Sequence, residues 1–272
     1  MSTAIAADSE SRWFDLGRLL ADTDCQRIQF LGECQSTNTI GLQQARDFTD
    51  LPLLVLTDSQ TAGRGRGANS WWASDGAVTF SLLIAPSAAG IAREATPLVS
   101  LTTALAVSTT LSRFAPDCTV GLKWPNDVHL NDRKVCGILV EPPPGIDDRL
   151  VIGIGLNIGN SLREAPEELR SIATSVLDET GQSYPPHEVL EHLLGVLFDE
   201  LKLLGAGQLD LSRRWQQQCI LTNREIVLQS GDQTFEGECR GIEDSGAVLI
   251  ESNGQTRAHF AGTVRLKVNT GP

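Results

Sequence analysis

The order in which the periodic segments follow one another constrains this chain most. Two strand-like runs, Leu53 to Asp58 and the alternating, β-rich Ala77 to Ile84, precede the first long apolar helix, Leu98 to Phe114. A hairpin from about Asp127 to Glu141 follows, around the turn Asn131-Asp132-Arg133, and then a further strand, Leu150 to Asn157. Pro186 to Leu204 reads as an amphipathic helix with Pro near its start. Strand, strand, helix, hairpin is not regular βαβ alternation, so an α+β fold with a mixed sheet is expected rather than a doubly wound parallel one.

From about Thr222 the pattern changes to short strands with turn signals between them. The runs are Arg224 to Gln229, Gln233 to Arg240, Ala247 to Ser252, Gln255 to Phe260 and Val264 to Val268. Ser230-Gly231-Asp232, Asp244-Ser245-Gly246 and Asn253-Gly254 punctuate them, and Asn-Gly between strands is a strong hairpin signal. Short strands packed this densely predict a small closed barrel, which removes exposed sheet edges. The expected organisation is a lead segment 1–27, a mixed region 28–218 and a barrel 219–272.

At 272 residues with 41% hydrophobic content, the chain can bury one substantial core and carry a small second unit. A formal net charge of −12 disfavours nucleic acid as a partner, because a phosphate backbone requires a clustered basic face. Residues 1–10 lack a basic stretch followed by an apolar one, and no apolar run reaches bilayer-spanning length, so a cytoplasmic protein without membrane partners is expected. Six scattered cysteines, without a C-x-x-C pair or zinc-finger histidines, read as free thiols in a reducing compartment. His187 and His192 lie five apart on the last long helix and read as surface residues.

The stretch richest in chemistry is Gln60-Thr61-Ala62-Gly63-Arg64-Gly65-Arg66-Gly67-Ala68-Asn69-Ser70-Trp71, between two predicted strands. Alternating glycines allow close backbone approach and present N–H groups, while Arg64 and Arg66 supply planar cationic forks for phosphate or carboxylate. A solvated surface loop with incidental arginines is the competing reading. No Gly-Lys-Ser/Thr follows the glycines, so this is not a Walker A loop. Trp71 suits stacking on a ligand ring, or a place in the core.

Lys123-Trp124-Pro125-Asn126-Asp127 leads into the hairpin, whose second strand carries Lys134-Val135-Cys136-Gly137-Ile138-Leu139-Val140-Glu141. With the apolar set inward, Lys134 lies near the turn and can reach into a site, and Gly137 removes a side chain where something fits closely. A solvated turn lysine and a rigid Trp-Pro corner are the alternatives. Gly153-Ile154-Gly155-Leu156-Asn157 does not open a helix and so is a poor dinucleotide turn. It reads better as a strand whose glycines let a planar ligand lie on the backbone, with Asn157 offering a donor and an acceptor. Ser36-Thr37-Asn38, before a helical pattern, reads alone as a helix N-cap.

In this order the segments resemble the biotin protein ligases, from about Ile28 to Lys267. The resemblance rests on Ser36-Thr37-Asn38, the loop from Gly63 to Trp71, Lys123 to Asp127, Lys134 with Gly137 to Glu141, Gly153 to Asn157, and Gly241-Ile242-Glu243-Asp244-Ser245-Gly246-Ala247. It implies a catalytic domain of the class II synthetase and biotin/lipoyl ligase type, followed by an SH3-like barrel. It also implies two steps: biotin and Mg-ATP give biotinyl-5′-AMP, and a carrier-domain lysine then attacks the anhydride. Arg66 is followed by Gly67 and Ala68 where many bacterial members carry two consecutive arginines. About thirty residues precede the motifs, too few for the DNA-binding module of bifunctional members.

Carried over by position, the resemblance assigns Ser36, Thr37, Asn38, Gln60, Gly63, Arg64, Lys134 and Gly137 to biotin, and Arg66, Trp71, Asn126 and Asn157 to ATP. Arg66, Lys134 and Asp127 are the implied catalytic residues, with ATP and Mg²⁺ as cofactors and metal ligands unassigned. The implied partner is the biotin carboxyl carrier domain of acetyl-CoA or pyruvate carboxylase, and a homodimer is compatible with the sequence. A lipoate or octanoate ligase or transferase of the same fold, and a non-catalytic biotin-binding protein, stay open as alternatives.

Overall fold

The structure, a computed structural model, describes residues 4–267. The chain begins with β1 (Ile5–Ala7), α1 (Leu16–Asp22), β2 (Arg27–Cys34), α2 (Thr37–Gln44), β3 (Leu53–Gln60) and β4 (Ala77–Ile84). After α3 (Val99–Phe114) come β5 (Val120–Lys123), β6 (Asp127–Leu130), β7 (Arg133–Glu141) and β8 (Leu150–Asn157). Four helices follow: α4 (Glu167–Arg170), α5 (Val176–Thr180), α6 (Pro186–Gly205) and α7 (Leu211–Gln216). The last five strands are β9 (Glu225–Ser230), β10 (Gln233–Ile242), β11 (Val248–Ser252), β12 (Gln255–His259) and β13 (Thr263–Leu266).

The first eight strands form one sheet in the order β1-β2-β3-β4-β8-β7-β6-β5. β1, β2 and β3 run parallel and every later pairing is antiparallel, so the mixed sheet expected from the element order is present. Alternation along the central strands separates two faces. Val78, Phe80, Leu82 and Ile84 of β4 and Ile152, Ile154 and Leu156 of β8 join the main core with α3 and α6. Thr79, Ser81, Gly153, Gly155 and Asn157 occupy the opposite face, where α2 packs and the cavity described below opens.

The lead segment contributes more than sequence periodicity revealed. β1 extends the sheet edge, Asp15 caps α1 by accepting from the Arg18 N–H, and Phe14, Leu19 and Cys25 enter the core. This packing corrects the reading of His187 as a surface residue. It is 9% exposed at the start of α6, and its Nδ1 accepts the Asp15 N–H at 3.3 Å. His192 is half-buried, with its ring edge-on to Phe114. All six cysteines are free. Among the described residues, no helix is long and apolar enough to cross a membrane.

The last five strands form an antiparallel sheet in the order β12-β11-β10-β9-β13. The predicted strand bounds hold to within two residues, apart from the end at Val268, which lies outside the described residues, and the small β unit expected after the mixed sheet is present; among the described residues the outer strands β12 and β13 do not pair, so the ladder itself is not closed by hydrogen bonds. Its edge is managed by packing instead. Ile226, Leu228, Cys239, Val248, Ile250 and Val264 belong to the same hydrophobic cluster as the large sheet. Buried Trp215 of α7 joins them, and the Trp124 Nε1–H donates to the Gly246 carbonyl at 3.0 Å.

Candidate active site

A cavity of about 880 Å³ opens where the polar face of the large sheet meets the second sheet. The register explains why distant motifs meet there. Thr79 pairs with Gly155, Gly155 with Gly137, Gly137 with Asp127, and Asp127 with Lys123, so one cross-strand row runs through five strands. Neighbours in such a row project to the same face.

Lys134 joins that face through a β-bulge. Strict alternation from Gly137, Leu139 and Glu141 would turn position 134 towards the core. Val128 pairs with Cys136 but His129 pairs with Lys134, so Val135 is the extra residue that shifts the register. The bulge sets the Lys134 Nζ 2.6 Å from Asp127 Oδ1. The Lys134 backbone is held in place as well, its N–H donating to the Ile172 carbonyl while its own carbonyl accepts from the Thr174 N–H.

The Gly/Arg segment is a small flap with its own ladder. Trp71 N–H donates to the Gly63 carbonyl, Gly65 N–H to the Asn69 carbonyl, and Arg64 bridges Ser70. Gly63 does not line the cavity; a Cβ there would lie 2.5 Å from the Trp71 carbonyl oxygen, so its lack of a side chain closes the flap base. Arg66 donates from Nη1 to the Gly262 carbonyl of the second sheet at 2.5 Å. Arg64 instead meets Glu141 with both prongs, at 2.7 and 3.0 Å.

At the flap base the Thr37 N–H and hydroxyl both donate to Gln60 Oε1, and the Ser81 hydroxyl lies 2.8 Å from Thr37 Oγ1 and 2.6 Å from Asn38 Oδ1. Asn38 Nδ2 reaches the Leu139 carbonyl and Glu141 Oε2. Ser36 occupies the N-cap position of α2 but makes no side-chain cap.

The glycines of β8 make room for the chain itself. A Cβ on Gly153 would lie 1.9 Å from Asn38 Oδ1, and one on Gly155 would lie 2.3 Å from the Trp71 indole. Trp71 is thus a planar group that lies on this strand, over Gly155. Trp71 Nε1 is buried there without a hydrogen-bond partner, and Lys134 Nζ lies 6.0 Å from the indole centroid. Asn157 uses its amide within the protein, donating to the Thr174 carbonyl and accepting from Asn160, and Asn126 donates to the Ile138 carbonyl.

Of the residues singled out from sequence, Ser36, Thr37, Asn38, Gln60, Arg64, Arg66, Trp71, Asn126, Asp127, Lys134, Gly137 and Asn157 all line this cavity. Lys123, His129, Thr79, Ile172, Gly262 and Thr263 also line it without having been given a role, and Glu141 stands just behind. Lys123 and Glu141 were visible as ends of motif segments. Nothing local marks Gly262, which reaches the site by tertiary packing. The lining carries four cationic side chains, Arg64, Arg66, Lys123 and Lys134, against Asp127 and Asp132. In a chain of net charge −12, the excess that remains after Arg64 pairs with Glu141 suits this cavity to anions. Burial holds the His129 imidazole below the usual histidine range, with Lys123 and Lys134 acting in the same direction against the Asp132 carbonyl and Asp127.

Comparison with known proteins agrees with this geometry. Residues 31–157 match the Biotin/lipoate A/B protein ligase family, and residues 222–271 match the Biotin protein ligase C terminal domain. The chain is 31% identical over 219 residues to the bifunctional ligase/repressor BirA of Bacillus subtilis, covering 78% of this chain and 66% of that protein. It is 31% identical over 227 residues to a biotin–[acetyl-CoA-carboxylase] ligase of Paracoccus denitrificans, covering 81% of this chain and 92% of that one. A biotin protein ligase from Aquifex aeolicus, solved in complex with biotin and ATP, superposes with a TM-score of 0.77 at 26% identity, covering 88% of this chain and 99% of that one. With the cavity, the row of motif residues and both sheets accounted for, this chain belongs to the biotin protein ligase family.

Proposed function

We propose that this chain is an ATP-dependent biotin protein ligase that forms biotinyl-5′-AMP and passes the biotinyl group to a lysine of a biotin carboxyl carrier domain. The observation that carries this reading is the opening of Arg66 and Lys134 into one cavity, on a sheet of this family's fold. In the first step a biotin carboxylate oxygen attacks the α-phosphorus of ATP, and pyrophosphate leaves. Two anions must meet, so fixed cations that face the developing charge lower the barrier. Lys134 stabilises the carboxylate and α-phosphate oxygens, and its pairing with Asp127 keeps it aimed. Arg66 has further N–H groups for phosphate beyond the one spent on Gly262.

In the second step the carrier lysine attacks the acyl carbon and AMP leaves; Asp127 faces the incoming amine. Ser36, Thr37, Asn38, Gln60, Gly63, Arg64 and Gly137 shape the biotin side, Gly63 and Arg64 through the flap base. Trp71, Asn126 and Asn157 shape the nucleotide side. A flap over the adenylate excludes water and so limits its hydrolysis. Among the described residues no group of three or more His, Cys, Asp and Glu side chains could hold a metal. Mg²⁺ carried with ATP would be held by the phosphates together with one or two carboxylates, for which the cavity offers Asp127 and Asp132, and would supply charge neutralisation for the pyrophosphate.

The carrier domains of acetyl-CoA and pyruvate carboxylases are the proposed acceptors, in the cytoplasm, where six free thiols are at home. We place the boundary between catalytic and C-terminal units at 218/219. Lipoate ligation is the second reading; the match of residues 222–271 to the biotin protein ligase C-terminal domain favours biotin. Incubation with labelled biotin or lipoate, Mg-ATP and a carrier domain, read by mass spectrometry, decides. Biotinylation of one lysine is expected; lipoylation alone, or no transfer, would sink the proposal.

A further inference from the structure

We propose that Glu141 is a positioning residue that fixes the flap base and the biotin-facing Asn38 together, acting through Arg64. The inference rests on the biotin ligase reading and goes beyond it, since it gives the two flap arginines different tasks. Arg64 presents both prongs to Glu141. Such a bidentate pair is directional as well as strong, so it sets the orientation of the guanidinium plane. Arg66 meets a neutral carbonyl instead and, among the described residues, has no acidic partner. Arg64 is thus a structural cation and Arg66 the one available to an anionic ligand.

The connection of Glu141 to the rest of the site is a closed circuit. Starting at Gln60, where the flap leaves β3, contacts run to Thr37, Ser81, Asn38, Glu141 and Arg64, four residues after the start. Asn38 packs closely on β8, its amide resting where a side chain on Gly153 would lie. Arg64 in turn bridges Ser70 and so positions Trp71, which covers Gly155. Three N–H donors therefore converge on one half-buried carboxylate that ties the biotin side of the cavity to the flap. Removing its charge frees Arg64 and lets the flap base open without touching Lys134 or Arg66.

The test uses the full-length protein and the variants Glu141→Gln, Arg64→Gln and both together. Hydrogen exchange of the unliganded protein reads the flap without turnover. Flap amides from residue 64 to 71 are expected to exchange about tenfold faster in either single variant, and the double variant to be no worse, since on the flap each residue acts through the other. In the ligase reaction of Glu141→Gln, adenylate dissociation and the KM for biotin should each rise about tenfold, with the KM for ATP and the rate of pyrophosphate exchange at saturation within about threefold of wild type. That split separates positioning from loss of the chemical step. Unchanged flap protection, additive effects in the double variant, or an equal rise of both KM values would overturn the assignment. A wild-type protein without biotin-dependent exchange, yet with flap protection lost in Glu141→Gln, would refute the biotin reading and uphold the positioning role.

Discussion

The Lys134 ammonium stands 2.6 Å from Asp127 Oδ1 because Val135 is an extra residue in its strand. Both side chains are partly exposed to the cavity, so the pair serves reactivity more than stability, surface-accessible ion pairs being worth roughly 0–1 kcal/mol. Lys134→Ala should abolish measurable adenylate formation, a loss of at least about a hundredfold or ~3 kcal/mol, with the unfolding midpoint unchanged. Biotin-dependent pyrophosphate exchange checks the first expectation and urea unfolding the second; a retained wild-type exchange rate removes Lys134 from the chemistry.

Asp127→Asn keeps the shape of the pair and removes its charge. Transfer of biotin to the carrier domain should fall more than adenylate formation, because only the second step brings in an amine that must approach as a neutral nucleophile. Single-turnover transfer from preformed adenylate measures this step alone. Equal loss in both steps would place Asp127 on the activation side.

The Arg66 to Gly262 contact couples the flap to the second sheet. Gly262 has φ of +144°, and a Cβ there would lie 2.5 Å from Leu228 Cδ1, so Gly262→Ala must move the turn that offers its carbonyl. Faster release of biotinyl-AMP and biotin labelling of bystander proteins are expected in Gly262→Ala and, more strongly, in Arg66→Ala. Streptavidin blots of a carrier-free protein mixture report this; wild-type retention in both variants would deny the flap its role.

Trp124 ties the strand end bearing Asp127 to the β10–β11 turn through the Gly246 carbonyl. Trp124→Phe leaves that buried carbonyl unpaired and should cost about 1–3 kcal/mol in urea unfolding. No loss of stability would show that the contact contributes nothing to holding the sheets together.

The histidine in the cavity gives a pH signature. His129 Nδ1 lies 3.0 Å from the Asp132 carbonyl, and burial disfavours its protonation in the folded state. The unfolded chain therefore binds this proton more readily, and stability rises with pH from the depressed folded value up to roughly the ordinary histidine pKa of 6.5. His129→Phe should flatten the stability profile across that window. An unchanged slope in urea midpoints would mean that another group titrates there.

Much of the fold was legible because its long elements have strong periods. β4, β8 and α6 begin where alternation or helical spacing begins, and Asn131 and Asp132, both at positive φ, form the predicted turn. β1 escaped notice because three residues pairing parallel at an edge have no period to read. The site was legible as a set of segments but not as contacts. Arg64 looked like an anion fork, and only tertiary structure brings Glu141, 77 residues away, into its reach. The glycines of β8 read as room for a planar ligand, and nothing local says that Trp71 and Asn38 approach them.

The convergence of Arg66 and Lys134 on one ligand is tested most directly by calorimetric titration with a non-hydrolysable biotinyl-adenylate analogue and with biotin alone. Arg66→Ala should weaken the analogue at least about tenfold and leave biotin nearly unchanged, whereas Lys134→Ala weakens both, since Arg66 acts on the phosphate position and Lys134 on phosphate and carboxylate alike. Wild-type affinity of Arg66→Ala for the analogue would contradict the account.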